Sequence, residues 1–94
     1  MTIEDIKKKV KPFLLEGGVK KAGLFGSVAK GLEREDSDVD ILVEFGKENL
    51  SLLEFIGLKQ ALEEALGKKV DLVEYTTIKP LLRTRILAEE ISIL

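Results

Sequence analysis

The sequence predicts a small α/β domain, a three-stranded mixed sheet covered by helices, in the order α-β-α-β-α-β-α. Three observations carry this expectation. Residues 38–45 alternate in polarity as a strand does, with Val39, Ile41, Val43 and Phe45 on one face and Asp38, Asp40, Leu42 and Glu44 on the other. Apolar residues recur at helical spacing near the N-terminus and again after Ser51. Glycines fall at several of the junctions between these runs.

Ile3, Ile6, Val10, Phe13 and Leu14 mark the first helix, with Thr2 as its cap and Gly17-Gly18 as its stop. Val19 to Phe25 is short, apolar at one end and bounded by glycines, so it reads as a strand. Ser27 to Lys30 has room for one or two helical turns before Gly31, and the polar run Leu32 to Ser37 reads as a loop. The strand from Asp38 to Phe45 then packs helices on its apolar face and presents carboxylates on the other. Gly46 to Asn49 turns the chain. Ser51 starts a helix carrying Leu52, Phe55, Ile56, Leu62, Ala65 and Leu66, and Gly67 closes it. Val70 to Tyr75 is the third strand. Thr77 is placed to cap a last helix that has Pro80 in its first turn, where proline is tolerated, and that runs through Leu82 and Ile86. The tail Ile91-Ser92-Ile93-Leu94 is unusually apolar and suits either an interface or a buried edge strand. No repeat, linker or low-complexity segment interrupts residues 1–94, which suffice for one compact domain.

Composition removes whole classes of chemistry. Forty-five per cent hydrophobic and 34% charged residues describe a globular chain. No apolar run approaches the ~20 residues of a membrane span, and Thr2 to Lys11 is too charged for a signal peptide. The absence of cysteine rules out disulfides and thiolate metal sites and fits a cytoplasmic protein. The absence of histidine rules out Ser-His and Cys-His catalysis and imidazole-bound zinc. Acid–base work falls to Asp, Glu, Lys or Tyr, and all-oxygen ligands point to hard cations such as Mg²⁺ or Mn²⁺. A net charge of −2 argues against direct DNA binding. The lysines at 7, 8, 9, 11, 20 and 21 read as solvated faces.

Against that background, Gly26-Ser27 and Asp38-Val39-Asp40 stand out. Gly26 lies where a strand gives way to a helix, and a residue without Cβ lets backbone N–H groups approach phosphate oxygens closely. The Ser27 hydroxyl adds a donor. Asp38 and Asp40, two apart on a strand, face the same way. Two carboxylates so close repel each other unless a cation lies between them. Asp71 opens a strand that can lie beside them, and two-metal phosphoryl chemistry uses such a third acid. Val73 and Tyr75 share the Asp71 face, and Glu74 points away. A calcium loop starting at Asp36 fails, because Ile41 stands where glycine is needed and Lys47 where glutamate is needed. Rossmann and P-loop spacings are absent.

Gly26-Ser27-Val28-Ala29-Lys30-Gly31 followed by Asp36-Ser37-Asp38-Val39-Asp40-Ile41-Leu42-Val43-Glu44-Phe45 resembles the minimal nucleotidyltransferases of the DNA polymerase beta-like superfamily. Gly26-Ser27, ten intervening residues and Asp38-x-Asp40 reproduce that motif, and the resemblance extends along the whole chain. It implies a small nucleotidyltransferase fold. It implies that Asp38, Asp40 and Asp71 bind one or two Mg²⁺ ions and form the catalytic set, Asp71 doubling as a general base. Gly26, Ser27 and Lys30 would hold the phosphates of ATP. Many members carry arginine where Lys30 stands; lysine keeps the charge and loses the fork geometry. Members this short resemble the antitoxin of a toxin–antitoxin pair, which moves AMP from ATP to a tyrosine of a helical HEPN-type ribonuclease.

The resemblance therefore implies a Mg²⁺-dependent protein adenylyltransferase. The residues leave two alternatives open: neutralisation of a partner by binding alone, using the apolar tail and last helix, and nucleotidylation of a small molecule, for which the chain has no acceptor domain. The tail would also serve a homo-oligomer.

Overall fold

The computed structural model describes residues 2–31, 38–47 and 50–94. The loop expected over 32–37 and the end of the turn expected at 46–49 lie outside them. Helix α1 spans Ile3–Glu16. Thr2 caps it reciprocally: its hydroxyl accepts from the Asp5 N–H at 3.1 Å, and the Asp5 carboxylate accepts from the Thr2 N–H at 3.0 Å. Strand β1 (Val19–Phe25) follows and leads directly into a one-turn helix, α2 (Gly26–Ala29). Strand β2 spans Val39–Phe45. Helix α3 (Leu52–Leu66) begins on a Ser51 side-chain cap and ends at Gly67, which takes the left-handed conformation at φ +65°.

The second half departs from expectation at three points. Strand β3 is Val70–Glu74, and Tyr75 opens a 3-10 turn, Tyr75–Thr77, instead of closing the strand. Thr77 does not cap the last helix, because its hydroxyl donates to the Glu74 carbonyl at 2.9 Å inside that turn. Helix α4 is Pro80–Glu89, and its N-cap is Lys79. The sheet, moreover, has four strands, not three: Ile91–Ser92 forms a short β4.

The strand order is β3-β2-β1-β4, with β1 antiparallel to both β2 and β4, and β2 parallel to β3. Helices α1 and α3 cover one face. Their Ile6, Val10, Leu14, Leu58, Leu62 and Leu66 close over Val39, Ile41, Val43, Val70 and Leu72. Each such side chain removed from water contributes ~1.5–3 kcal/mol. The tail belongs to this core. Ile93 is 0% exposed, and its N–H donates to the Ala22 carbonyl at 3.0 Å, while Ile91 and Leu94 are half-buried against the core.

The opposite face is half covered. Leu42 was expected among the outward-facing residues, yet it is fully buried with Tyr75 and Ile78, and Phe25, Val73, Ile86 and Leu87 pack around them. The 3-10 turn and α4 thus close over the sheet beyond Leu42. The end of the sheet that carries Asp38, Asp40 and Asp71 stays accessible. No described helix is long and apolar enough to cross a membrane.

Candidate active site

Three strands deliver the site. The register places Phe25 of β1 opposite Asp40 of β2, and Asp40 opposite Asp71 of β3. Because side chains alternate across a pleated sheet, residues at the same level on paired strands share a face. The row Phe25–Asp40–Asp71 is followed by the row Gly23–Leu42–Val73, which forms the apolar floor beside the carboxylates. Asp38 lies one residue before β2 and is exposed, as is Asp71 at the start of the edge strand; Asp40 is half-buried between them.

Electrostatics follow from this placement. Burial is the main cause that pushes the Asp40 carboxyl up to about 6, and repulsion from Asp71 and then Asp38 adds to it. Asp40 and Asp71 also share a hydrogen bond that favours the protonated form. The pair is therefore tense when ionised. An all-oxygen donor set under mutual repulsion fits a hard divalent cation, which would take the place of the shared proton. Among the described residues no three acidic side chains already surround one point. The arrangement is a close pair, Asp40 and Asp71, with Asp38 near enough to act on it through space.

Gly26 is required here twice over. Its φ is +72°, a conformation that costs an L-residue energy. A Cβ at this position would also overlap the Asp40 Oδ2 atom and sit 3.0 Å from its Cγ. The backbone of the Gly26-Ser27 turn thus lies directly against a carboxylate. Ser27, the second residue of α2, is half-buried beside it. With only four residues, α2 contributes local N–H groups and little dipole.

Lys30 caps α2, and its ammonium lies 3.2 Å from Glu89 of α4, which Arg85 also approaches at 3.7 Å. A phosphate would have to draw Lys30 away from that carboxylate. A second contact ties α4 down nearby: the Tyr75 hydroxyl donates to Glu90, whose side chain crosses Gly23 so closely that a Cβ there would lie 2.6 Å from the Glu90 Cδ. Burial first, and then Glu90, push the phenol above its ordinary range. Lys21 stands 4.8 Å above the Tyr75 ring. No local pattern announces Glu89 and Glu90 in these roles, since both contacts join segments far apart in the chain.

Comparison with known proteins places the chain in a family. The nucleotidyltransferase domain family matches residues 3–93. The chain belongs to that family. This nucleotidyltransferase is 53% identical over 94 residues to a Methanocaldococcus jannaschii protein, MJ0435, whose name provisionally makes it a protein adenylyltransferase; the match covers 100% of both chains. It is 46% identical over 76 residues to the protein adenylyltransferase MntA of Thermococcus cleftensis, covering 81% of this chain and 76% of that one. A crystal structure of a toxin–antitoxin with AMP-PNP superposes with a TM-score of 0.80 at 26% identity, covering 94% of this chain and 72% of that one. This nucleotidyltransferase is accordingly an enzyme of nucleotidyl transfer, and its substrate is a nucleotide.

Proposed function

We propose that the enzyme is a Mg²⁺-dependent protein adenylyltransferase that moves AMP from ATP to a hydroxyl of a partner protein, and that the partner is a HEPN-type toxin which the transfer neutralises. The observation that carries the chemistry is the in-register pair Asp40–Asp71 with the Gly26 backbone against it. Acidic side chains and a close-approach backbone turn at one sheet end form a site for a triphosphate and its counter-ion. The names of the relatives support adenylyl transfer to protein, and the toxin–antitoxin likeness supports the partner.

In this reading the acceptor hydroxyl oxygen attacks the α-phosphorus of ATP. The bond from that phosphorus to the bridging oxygen of the β-phosphate breaks, and pyrophosphate leaves. Asp71, exposed on the edge strand, takes the hydroxyl proton. Gly26 and Ser27 hold the phosphates through backbone N–H groups and the hydroxyl, and Lys30 adds charge when it leaves Glu89. Asp38, Asp40 and Asp71 would hold Mg²⁺, which would supply neutralisation of the triphosphate and of the developing pyrophosphate charge. The catalytic groups otherwise position and orient.

The open end of the sheet leaves the acceptor to dock from outside. Neutralisation by binding alone would draw on the last helix, where Leu81 and Leu82 are exposed, more than on Ile93, which is buried in the core. α-Labelled ATP with Mg²⁺ added to a lysate of the source organism tests the proposal. A protein band labelled by wild type and absent with Asp38→Asn and Asp40→Asn is expected. Equal labelling by both variants contradicts it.

A further inference from the structure

We propose that Glu63 is a positioning residue for Asp71, acting by capping the open edge of β3; this rests on the catalytic reading of the carboxylates given above. Among the described residues β3 is an edge strand with β2 as its only neighbour. In a parallel ladder, alternate N–H groups point to alternate sides. The Lys69 carbonyl accepts from the Val39 N–H at 2.9 Å, which turns that peptide toward β2. The N–H of Val70 accordingly faces the side where no strand lies. It donates to the Glu63 carboxylate at 2.9 Å, in a part-buried position.

Glu63 holds both ends of one connection. Its backbone carbonyl accepts from the Gly67 N–H at 2.8 Å, closing α3, and its side chain accepts from Val70, opening β3. Only residues 67–69 lie between, and Asp71 is the next residue along. A carboxylate accepting a backbone N–H forms a charge-assisted bond, stronger than a neutral one. Unpaired edge backbone is where a sheet frays. Asp71 sits at the second position of β3, so fraying there would release it from its register with Asp40. Glu63 reaches the site only through the backbone, and it touches neither carboxylate in the hydrogen bonds described.

The test uses the full chain with Glu63→Ala, Glu63→Gln and Glu63→Asp. Glutamine keeps an acceptor oxygen in place; aspartate keeps the charge but is one methylene too short to reach. Three readouts are taken: amide hydrogen exchange at Val70 and Asp71, Mn²⁺ affinity without nucleotide, and kcat and KM for transfer from ATP. For Glu63→Ala and Glu63→Asp the expected result is faster exchange at both amides with core amides such as that of Leu42 unchanged. Mn²⁺ affinity and kcat fall roughly 10- to 100-fold, the range for partners that orient metal ligands, while KM for ATP moves little. Glu63→Gln restores most of each. Wild-type Mn²⁺ affinity and kcat in Glu63→Ala overturn the proposal, as does a Glu63→Gln variant as impaired as Glu63→Ala. A wild type that transfers nothing defeats the catalytic reading instead, and exchange and Mn²⁺ affinity then decide the role of Glu63. Should Glu63→Ala not fold, Glu63→Asp and Glu63→Gln carry the same comparison.

Discussion

Replacing Gly26 with alanine separates a backbone requirement from a site requirement. The residue has φ +72°, and an L-residue there costs ~1–2 kcal/mol. The new Cβ would overlap Asp40 Oδ2 and lie 3.0 Å from Cγ, so the carboxylate must shift. Forcing a methyl into occupied space adds ~1–3 kcal/mol. The sum, about 2–5 kcal/mol, lowers the melting temperature by roughly 8–40 °C at the ~4–8 °C per kcal/mol typical of a domain this size. Gly67 supplies the control. Its φ is +65°, and a Cβ there meets nothing within 4 Å, so Gly67→Ala carries the backbone cost and no overlap. Melting curves and transfer kinetics of both variants are compared, with transfer measured well below either melting temperature. Gly26→Ala should melt below Gly67→Ala and lose ~100-fold in kcat, the scale of a ~1 Å misplacement at a reacting centre. Gly67→Ala should keep wild-type kcat. Equal melting and equal kcat in the two variants would refute the claim that Gly26 is packed against the Asp40 carboxylate.

Three further outcomes follow from two named residues, Asp40 and Ile93. Asp40 has a folded pKa of about 6, above the ordinary 3.8, so between those values the folded chain holds a proton that the unfolded chain releases. Stability from this group is therefore lost as pH rises from about 4 to 6, and Asp40→Asn removes that slope in denaturation measured across pH. In the proposed site Mn²⁺ would displace the same proton, so its affinity should fall about tenfold per pH unit below about 6; a flat profile in a titration from pH 5 to 7 contradicts this. At the other end of the chain, Ile93 is fully buried, and Ile93→Ala should cost ~2–5 kcal/mol in denaturant unfolding. Wild-type stability after that change would return the tail to the role of an exposed interface.

Much of the fold can be read where local chemistry acts alone. The Thr2 and Ser51 caps, the Gly17-Gly18 and Gly67 stops and the bounds of β1 all appear as the sequence implies. They depend on a few adjacent residues. The departures arise where distant segments meet. The tail suits an interface as well as a buried edge strand, and Ile91–Ser92 becomes a fourth strand because β1 offers it an edge. Leu42 alternates with two aspartates and looks solvent-facing, but Ile86 and Leu87 of α4 and the Tyr75 turn cover it. Thr77 resembles a helix cap, and the Glu74 carbonyl competes successfully for its hydroxyl. In the candidate site, the spacing of Asp38 and Asp40 foretells a shared face, and the parallel register of β2 and β3 brings Asp71 opposite Asp40. The salt bridge that occupies Lys30 and the edge cap on Val70 depend on α4 and on the close of α3, so no local pattern announces them.

The central claim is that Asp40 and its neighbours direct attack at the α-phosphorus of ATP. The most direct measurement compares α-labelled with γ-labelled ATP as donor to the acceptor protein, using wild type and Asp40→Asn. Label is expected on the acceptor from the α position only, with released pyrophosphate in equal amount and no label with Asp40→Asn. Label arriving from the γ position, or undiminished labelling by Asp40→Asn, would contradict it.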